Sequence, residues 1–549
     1  MVSWLKNNRE RAIQIFGWVL IALALAGDVV IIFKGTWAMI HSDGATALIL
    51  GREQWRQKKT YPDQWYYGRE IWNYGLNTIV QPFMKLCRHW LDARACAVVM
   101  QTGIMVAIVY WFKREQILGR YWWLSALFML LPVSEVVTEH FYFQATYMTA
   151  VLWLAVMMMV TLWGLEENKK KRYAGYVLLA AVVVIRGITG YSMVLVFCAP
   201  MMAALVLSAI ASQKNKDSDH LEYTKRIVIT LLVLAVSTLA GMTANSFYIQ
   251  KLNVASSSTE RFGFIEFTNL GNQILHLFNC FCRMFGAADT GGVELLTLSG
   301  VMKALGFAYL CFLLFFIPAS LFKNRAKIKN PRHRFLLVFM IASSIATIYI
   351  FIFTGMEQAR YLLWIYFYLI LALGIWVYYF KSFSYSYDRE IRAGVMILTV
   401  VMMVGSFCYY LSYDYEQNPE RIGANDTVIY TKPDPDMIAW MKEKHYTYGY
   451  SGYWESYATT VYADGKVWIS ALTDDWKGPN YWLTSGTWYE PDAHKGKCFV
   501  MVPEDKYSSN LPEEYKKAAI KEEQYDSYHF LIYKDIRTLQ RLWDQYAGS

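Results

Sequence analysis

Three acids and an imidazole are the side chains of this sequence best placed to do chemistry. Asp43 stands in "HSDGATALILGREQWRQKKTYPDQWYYG", residues 41–68, directly after the first long apolar run. A carboxylate at the end of such a run can take a proton from a hydroxyl held beside it. The plain alternative is that Ser42 or Asp43 caps the helix that follows. Asp28 lies inside the apolar run, roughly 7 Å from its outer end at helical rise. An acid there costs at most ~2.5–3.5 kcal/mol, so it should face a wet cavity, or be a buried, hydrogen-bonded structural acid. Glu139 and His140, in "SEVVTEHFYFQ", add a second acid and an imidazole. They suit the orienting of a reactant, or the holding of a divalent metal with Asp43, although two residues do not make a metal motif. Arg186 in "VVIRGITGY", Arg360 in "MEQARYLLW" and Arg52 carry the planar fork that suits a phosphate; the competing reading is an interface arginine reaching to headgroups. Trp65, Tyr66 and Tyr67, with Trp55, Tyr61, Trp72 and Tyr74 nearby, can stack on sugar rings or form an interfacial belt. P-loop, GxSxG, HExxH and paired CxxC patterns do not occur.

These side chains need elements to hold them, and the composition says which kind. The chain has 549 residues, 55% hydrophobic and only 18% charged, with the apolar residues in runs of membrane-span length. Windows of about 20 residues give about eleven spans, near 12–33, 93–112, 119–137, 145–165, 173–187, 191–211, 227–247, 299–322, 335–354, 361–380 and 393–412. The fifth is short enough to be broken or re-entrant. The formal charge of +9 sits in short clusters between runs: Phe112 to Arg114, Asn168 to Arg172, Gln213 to Lys216, Lys323 to Arg334 and Lys381 to Arg392. Basic loops stay cytoplasmic, so the excess reports orientation and not a nucleic-acid partner. With the N-terminus inside, the external pieces are 34–92, a short loop near 138–144, the tip at 188–190, the large loop 248–298, the tip at 355–360 and the tail from 413. The first apolar run is too long for a cleavable signal peptide. Eight scattered cysteines show no disulfide framework and are expected as small buried hydrophobes.

Within loop 34–92, residues 44–57 put Ala45, Leu48 and Trp55 on one helical face and Arg52, Glu53 and Arg56 on the other, which reads as a helix in the interface plane. A second interfacial helix starts near Leu76 and runs into span two, with Pro82 bending it. The tail, 413–549, is more charged and reads as a small mixed α/β domain outside the membrane. Its helices fall in "DPDMIAWMKEKH" and "EEYKKAAIKEE", and its strands in "KVWISAL", "KCFVMVP" and "YHFLIYK".

On these residues the layout resembles the GT-C superfamily of integral membrane glycosyltransferases, whose lipid-phosphate mannosyltransferases and aminoarabinose transferases carry an acid in the first external loop, before interfacial helices. "SDGATALILGREQWRQKKTYPDQWYYG" is similar to that loop, "IRG" at 185–187 and "ARY" at 359–361 are similar to segments of bacterial members, and Gly44 departs from the pattern where an acid is common. The resemblance covers residues 10–412 in layout and only the first loop in specific motif. It implies a transmembrane catalytic module over 1–412 and Asp43 as the catalytic acid. The donor would be a polyprenyl-phosphate sugar, and the acceptor an envelope glycan, lipid or protein met at the outer face of the cell membrane. Two other readings stay open: a transporter or lipid-linked glycan flippase, which would show mid-bilayer polar sites and repeat symmetry, and a non-catalytic envelope scaffold, which would leave Asp28, Asp43 and Glu139 in no common cavity.

Overall fold

The computed structural model describes residues 2–68, 70–213, 218–254, 264–287, 296–383, 388–413 and 433–547. Most of the basic cluster at 213–216, part of the cluster at 381–392, much of loop 248–298 and the start of the tail lie outside the described residues.

The molecule is a multi-pass membrane protein. Among the described residues, nine helices are long and apolar enough to cross a membrane. They begin with α1 (Val2–Met39), α4 (Trp90–Arg114), α7 (Thr146–Gly164) and α8 (Lys169–Thr189). A π-helical turn leading into α9 (Ala199–Gln213), then α10 (Ser218–Lys251), α12–α13 (Leu298–Cys311, Ile317–Lys323), α14 (Pro331–Phe353) and α15 (Leu363–Tyr379) complete them, with the shorter α11 (Leu270–Met284) between α10 and α12. The eleventh expected span falls within α16 (Asp388–Ser412), of which Ile397–Ser412 is an apolar stretch of described residues.

The break falls in the third expected span and not in the fifth, which is one continuous helix, α8. Span three divides into α5 (Trp122–Leu130) and α6 (Glu135–Thr138), the latter continuing as a π-helical turn over Glu139–Phe143, with an 84° bend between the halves. Pro132 explains it: it has no N–H to continue the ladder, and it pushes Leu131 into extended backbone. Ser134 then starts the second half by accepting from the Val137 N–H at 3.2 Å. The Tyr142 hydroxyl closes the bend by donating to the Leu130 carbonyl. Ala145, in the left-handed region at φ 60°, turns the chain into α7.

The first loop forms α2 (Ser42–Gln57), a short strand β1 (Trp65–Tyr67) and α3 (Leu76–Leu86). Two expectations are corrected. α2 is more deeply set than a helix lying in the interface: Ser42, residues 44–51, Glu53 and Gln54 are all buried, Glu53 with Arg52 and Arg56 on it, and only the last turn, with Trp55 and Arg56, is exposed. α3 runs through Pro82 but stops at Leu86, and the extended residues Cys87 and His89 separate it from α4.

The C-terminal part is mixed α/β. It contains α17 (Pro435–Glu443), β3 (Tyr448–Ser451), α18 (Tyr453–Tyr462), β4 (Trp468–Ala471), β5 (Thr484–Ser485) and β6 (Cys498–Pro503). The rest is α19 (Glu504–Ser509), α20 (Glu513–Ala518), β7 (Lys521–Tyr525), β8 (Tyr528–Tyr533) and α21 (Ile536–Ala547). "EEYKKAAIKEE", expected as one helix, is helix α20 and then the start of strand β7. Five strands run β4-β3-β6-β8-β7, parallel on the β4-β3-β6 side and antiparallel beyond. Both faces of this sheet are covered. Phe499, Met501, Phe530 and Ile532 point to a small core with Met437, Ile438 and Met441 of α17. The alternating Val500, Val502, Leu531 and Tyr533 belong to the apolar core that runs on into the helical bundle. That burial on both faces is why these strands read as unbroken apolar runs.

The tail is therefore seated on the first loop. β1 pairs antiparallel with β5 and parallel with β2 (Asn253–Val254), so loop one, the 248–298 loop and the tail share one small sheet.

Candidate functional site

Asp43 sits in the first turn of α2, half-buried, and is not a helix cap. The N-cap position belongs to His41, with no side-chain cap, and the Ser42 hydroxyl is spent on the Tyr453 and Trp454 carbonyls of α18. The Asp43 carboxylate is held instead by two tertiary donors. Tyr453 Oη donates to Oδ1 at 2.7 Å, and Gln144 Nε2 donates to Oδ2 at 3.3 Å. Gln144 Oε1 in turn lies 2.6 Å from His140 Nδ1. One amide orientation satisfies both contacts: with its NH2 toward Asp43, Gln144 presents oxygen to His140, whose Nδ1 must then carry the proton. Burial pushes the Tyr453 phenol well above its ordinary range, and the neighbouring Asp43 carboxylate adds to the shift. Tyr453 is therefore a protonated donor at any physiological pH.

The bend in span three is what brings this chain of groups together. It places the 139–144 turn against the start of α2, and Arg94 of α4 pins it there. The Arg94 guanidinium is wholly buried and donates to the carbonyls of Gly44, Tyr142 and Phe143 and to the Thr36 hydroxyl. One planar fork thus binds α1, α2 and the turn. His41 completes the wall: burial pushes its imidazole down to about 4, partly opposed by Asp43, so it is neutral at pH 7. Arg360, at the start of the 3-10 turn before α15, lies close enough to act electrostatically on both His41 and Tyr453.

Asp43, Gln144, His140 and Glu139 thus form one connected group, and Arg360 acts on two of the side chains beside it. Glu139 is buried, its Oε2 4.0 Å from His140 Nε2. The metal arrangement considered for Asp43, Glu139 and His140 does not form: among the described residues no three His, Cys, Asp or Glu side chains are grouped to hold one ion. Asp28 lies elsewhere, buried on α1. Tyr142 is close to it but donates to Leu130, and neither Asp28 oxygen has a hydrogen-bond partner among the described residues. Arg52 is also apart, paired with Glu53 at 2.8 Å and lying over Trp90 and Trp468. Arg186 lies over Trp153 at 5.9 Å and interacts with Glu70.

The sugar-facing role expected of Trp65, Tyr66 and Tyr67 does not fit their surroundings. Trp65 and Tyr67 are buried, Trp65 edge-on to Trp488 of the tail, and Tyr66 packs on Tyr481 at 4.4 Å. Side chains alternate along β1, so Trp65 and Tyr67 share one buried face while Tyr66 lies half-buried on the other. Four site residues escaped sequence reasoning: His41, Arg94, Gln144 and Tyr453. Arg94 alone carried a signal, as a cation inside an apolar run.

Packing accounts for a glycine at position 44. A Cβ at this position would meet the Phe143 carbonyl oxygen at 2.9 Å and Arg94 Nη2 at 3.3 Å. Gly44→Ala is accordingly expected to cost about 1–3 kcal/mol through overpacking against backbone, read as a lower thermal midpoint in detergent. An unchanged midpoint would mean that the turn yields freely.

No protein family and no curated protein sequence matches the chain. Among solved structures it is similar to ArnT from Cupriavidus metallidurans bound to undecaprenyl phosphate, at 13% identity and a TM-score of 0.52, over 94% of this chain and 98% of that one. The same protein in the apo state aligns over the same shares at 11% identity and a TM-score of 0.43.

Proposed function

The chain has the GT-C fold, and we propose that it is a glycosyltransferase moving a sugar from a polyprenyl-phosphate donor to an acceptor outside the cytoplasm. The observation that carries this reading is the Asp43 carboxylate: half-exposed at the end of the first span, tethered through both oxygens, with the Arg360 cation nearby. In the reaction, Asp43 takes the proton of an acceptor hydroxyl as its oxygen attacks the anomeric carbon. The bond from that carbon to the phosphate oxygen breaks, and its electron pair leaves with the lipid phosphate. Arg360 offsets the charge that develops there. Arg360 is preferred to Arg52 and Arg186 because it acts electrostatically on Tyr453, the donor to Asp43 Oδ1.

The shared fold with ArnT, a protein solved with undecaprenyl phosphate bound, supports a lipid-phosphate donor. Such a donor brings the activated sugar with it, so no nucleotide is needed outside the cell. The proposed orientation follows from the basic loops: N-terminus cytoplasmic, and 413–549 an extracytoplasmic domain above the membrane module 1–412.

The test uses purified full-length protein with a synthetic polyprenyl-phosphate sugar. Transfer is expected from this donor and not from a nucleotide sugar, and Arg360→Gln should raise the donor KM about tenfold or more, the size of a lost charged hydrogen bond. Transfer from a nucleotide sugar with no lipid present would overturn the proposal.

A further inference from the structure

Among the described residues of the tail, Tyr453 reaches the Asp43 carboxylate, and its placement is specific. Tyr453 opens α18, is buried, and spends its hydroxyl on Asp43 Oδ1. α18 is tied down at both ends to the elements that flank Asp43. At its start, Ser42, the residue preceding Asp43, donates to the Tyr453 and Trp454 carbonyls. Past its end, Asp464 accepts from the Trp90 N–H at 2.8 Å and lies 2.9 Å from His89 Nδ1, at the head of the helix that carries Arg94. Between these ties Tyr453 packs edge-on to Tyr457, and Tyr457 to Trp488. A segment held this way is a fixed wall and not a lid.

We infer that Tyr453 is a positioning residue for Asp43, so that the C-terminal region completes the reaction site. Each carboxylate oxygen has two lone-pair sites. Tyr453 takes one on Oδ1 and Gln144 one on Oδ2, which stops the group rotating and leaves one site on each oxygen for an acceptor hydroxyl. A base aimed before the substrate arrives loses less orientational freedom on reaction.

This inference rests on Asp43 being the base, and the experiment separates the two. Full-length Tyr453→Phe keeps the ring and its packing and removes only the donor. At saturating polyprenyl-phosphate sugar its turnover should fall about tenfold, as for one lost hydrogen bond to a charged group, with donor KM unchanged and the protein folded. In an Asp43→Asn background the same substitution should cost less than about twofold, because coupled residues are not additive. Wild-type turnover in Tyr453→Phe, or an equal fractional loss in both backgrounds, overturns the positioning role while leaving the base intact. Full activity in Asp43→Asn alone removes the base, and this inference with it. Should Tyr453→Phe fail to fold, Ser42→Ala, which frees the start of α18, should lower turnover at unchanged donor KM; no loss there overturns the role as well.

Discussion

Asp43→Asn should lower turnover by ~100- to 10,000-fold, the range typical of losing a general base, and leave the protein folded. The asparagine side chain has the same shape and still offers an oxygen to the Tyr453 hydroxyl. Its new NH2 would face the Gln144 NH2. Gln144 can turn its oxygen toward the substituted amide, and His140 can move its proton to Nε2 so that Nδ1 accepts from Gln144. The network therefore re-forms with donors and acceptors exchanged, and the expected stability change is within about 1 kcal/mol, as for one rearranged hydrogen bond. The measurement is single-turnover transfer with lipid donor in excess, paired with a thermal midpoint in detergent. Near-normal turnover in a folded variant would place the chemistry elsewhere. The structure has already removed the plain alternative of a helix cap, since neither Ser42 nor Asp43 caps α2.

Arg94→Met should have the largest effect on stability. The substitution keeps length and apolar bulk but removes every donor, and the carbonyls of Gly44, Tyr142 and Phe143 lose it together. Hydrogen bonds from a charged group contribute about 1.5–3 kcal/mol each, and buried acceptors left unpaired carry a desolvation cost. A loss of about 3 kcal/mol or more is expected from these terms, seen as a clear fall in thermal midpoint. Turnover should fall as well, because the 139–144 turn is no longer pinned beneath Asp43. Arg94→Lys, with a compact charge in place of the fork, should recover part of the stability and less of the activity. An unchanged midpoint in Arg94→Met would mean that those carbonyls find other donors.

The membrane class, the helical spans, the acid after span one and half the strands of the tail are legible in the sequence. Each depends on neighbours close along the chain. An apolar run of about 20 residues spans a bilayer wherever it occurs, and runs such as "KCFVMVP" form strands because both their faces are covered. Pro132 also carries its message locally, whereas the run of α8 reads as broken only because it is short. The amphipathic pattern of α2 rightly predicts a helix but not the depth of its burial, because two arginines satisfy Glu53 and let that acid be buried while they themselves stay partly exposed.

The candidate site itself cannot be read this way. Asp43 meets Gln144 across 101 positions and Tyr453 across 410, and no periodicity or spacing in the chain links residues so far apart. Sequence determined that an acid would stand at the end of the first span, since helix length and hydropathy place it there. Only tertiary structure decided what holds that acid: a proline bend that delivers Gln144, a buried arginine that pins the turn, and a tail whose phenol reaches back to the first loop. Local patterns follow from the solvation of consecutive residues, whereas hydrogen bonds between distant side chains exist only once packing has brought their elements together.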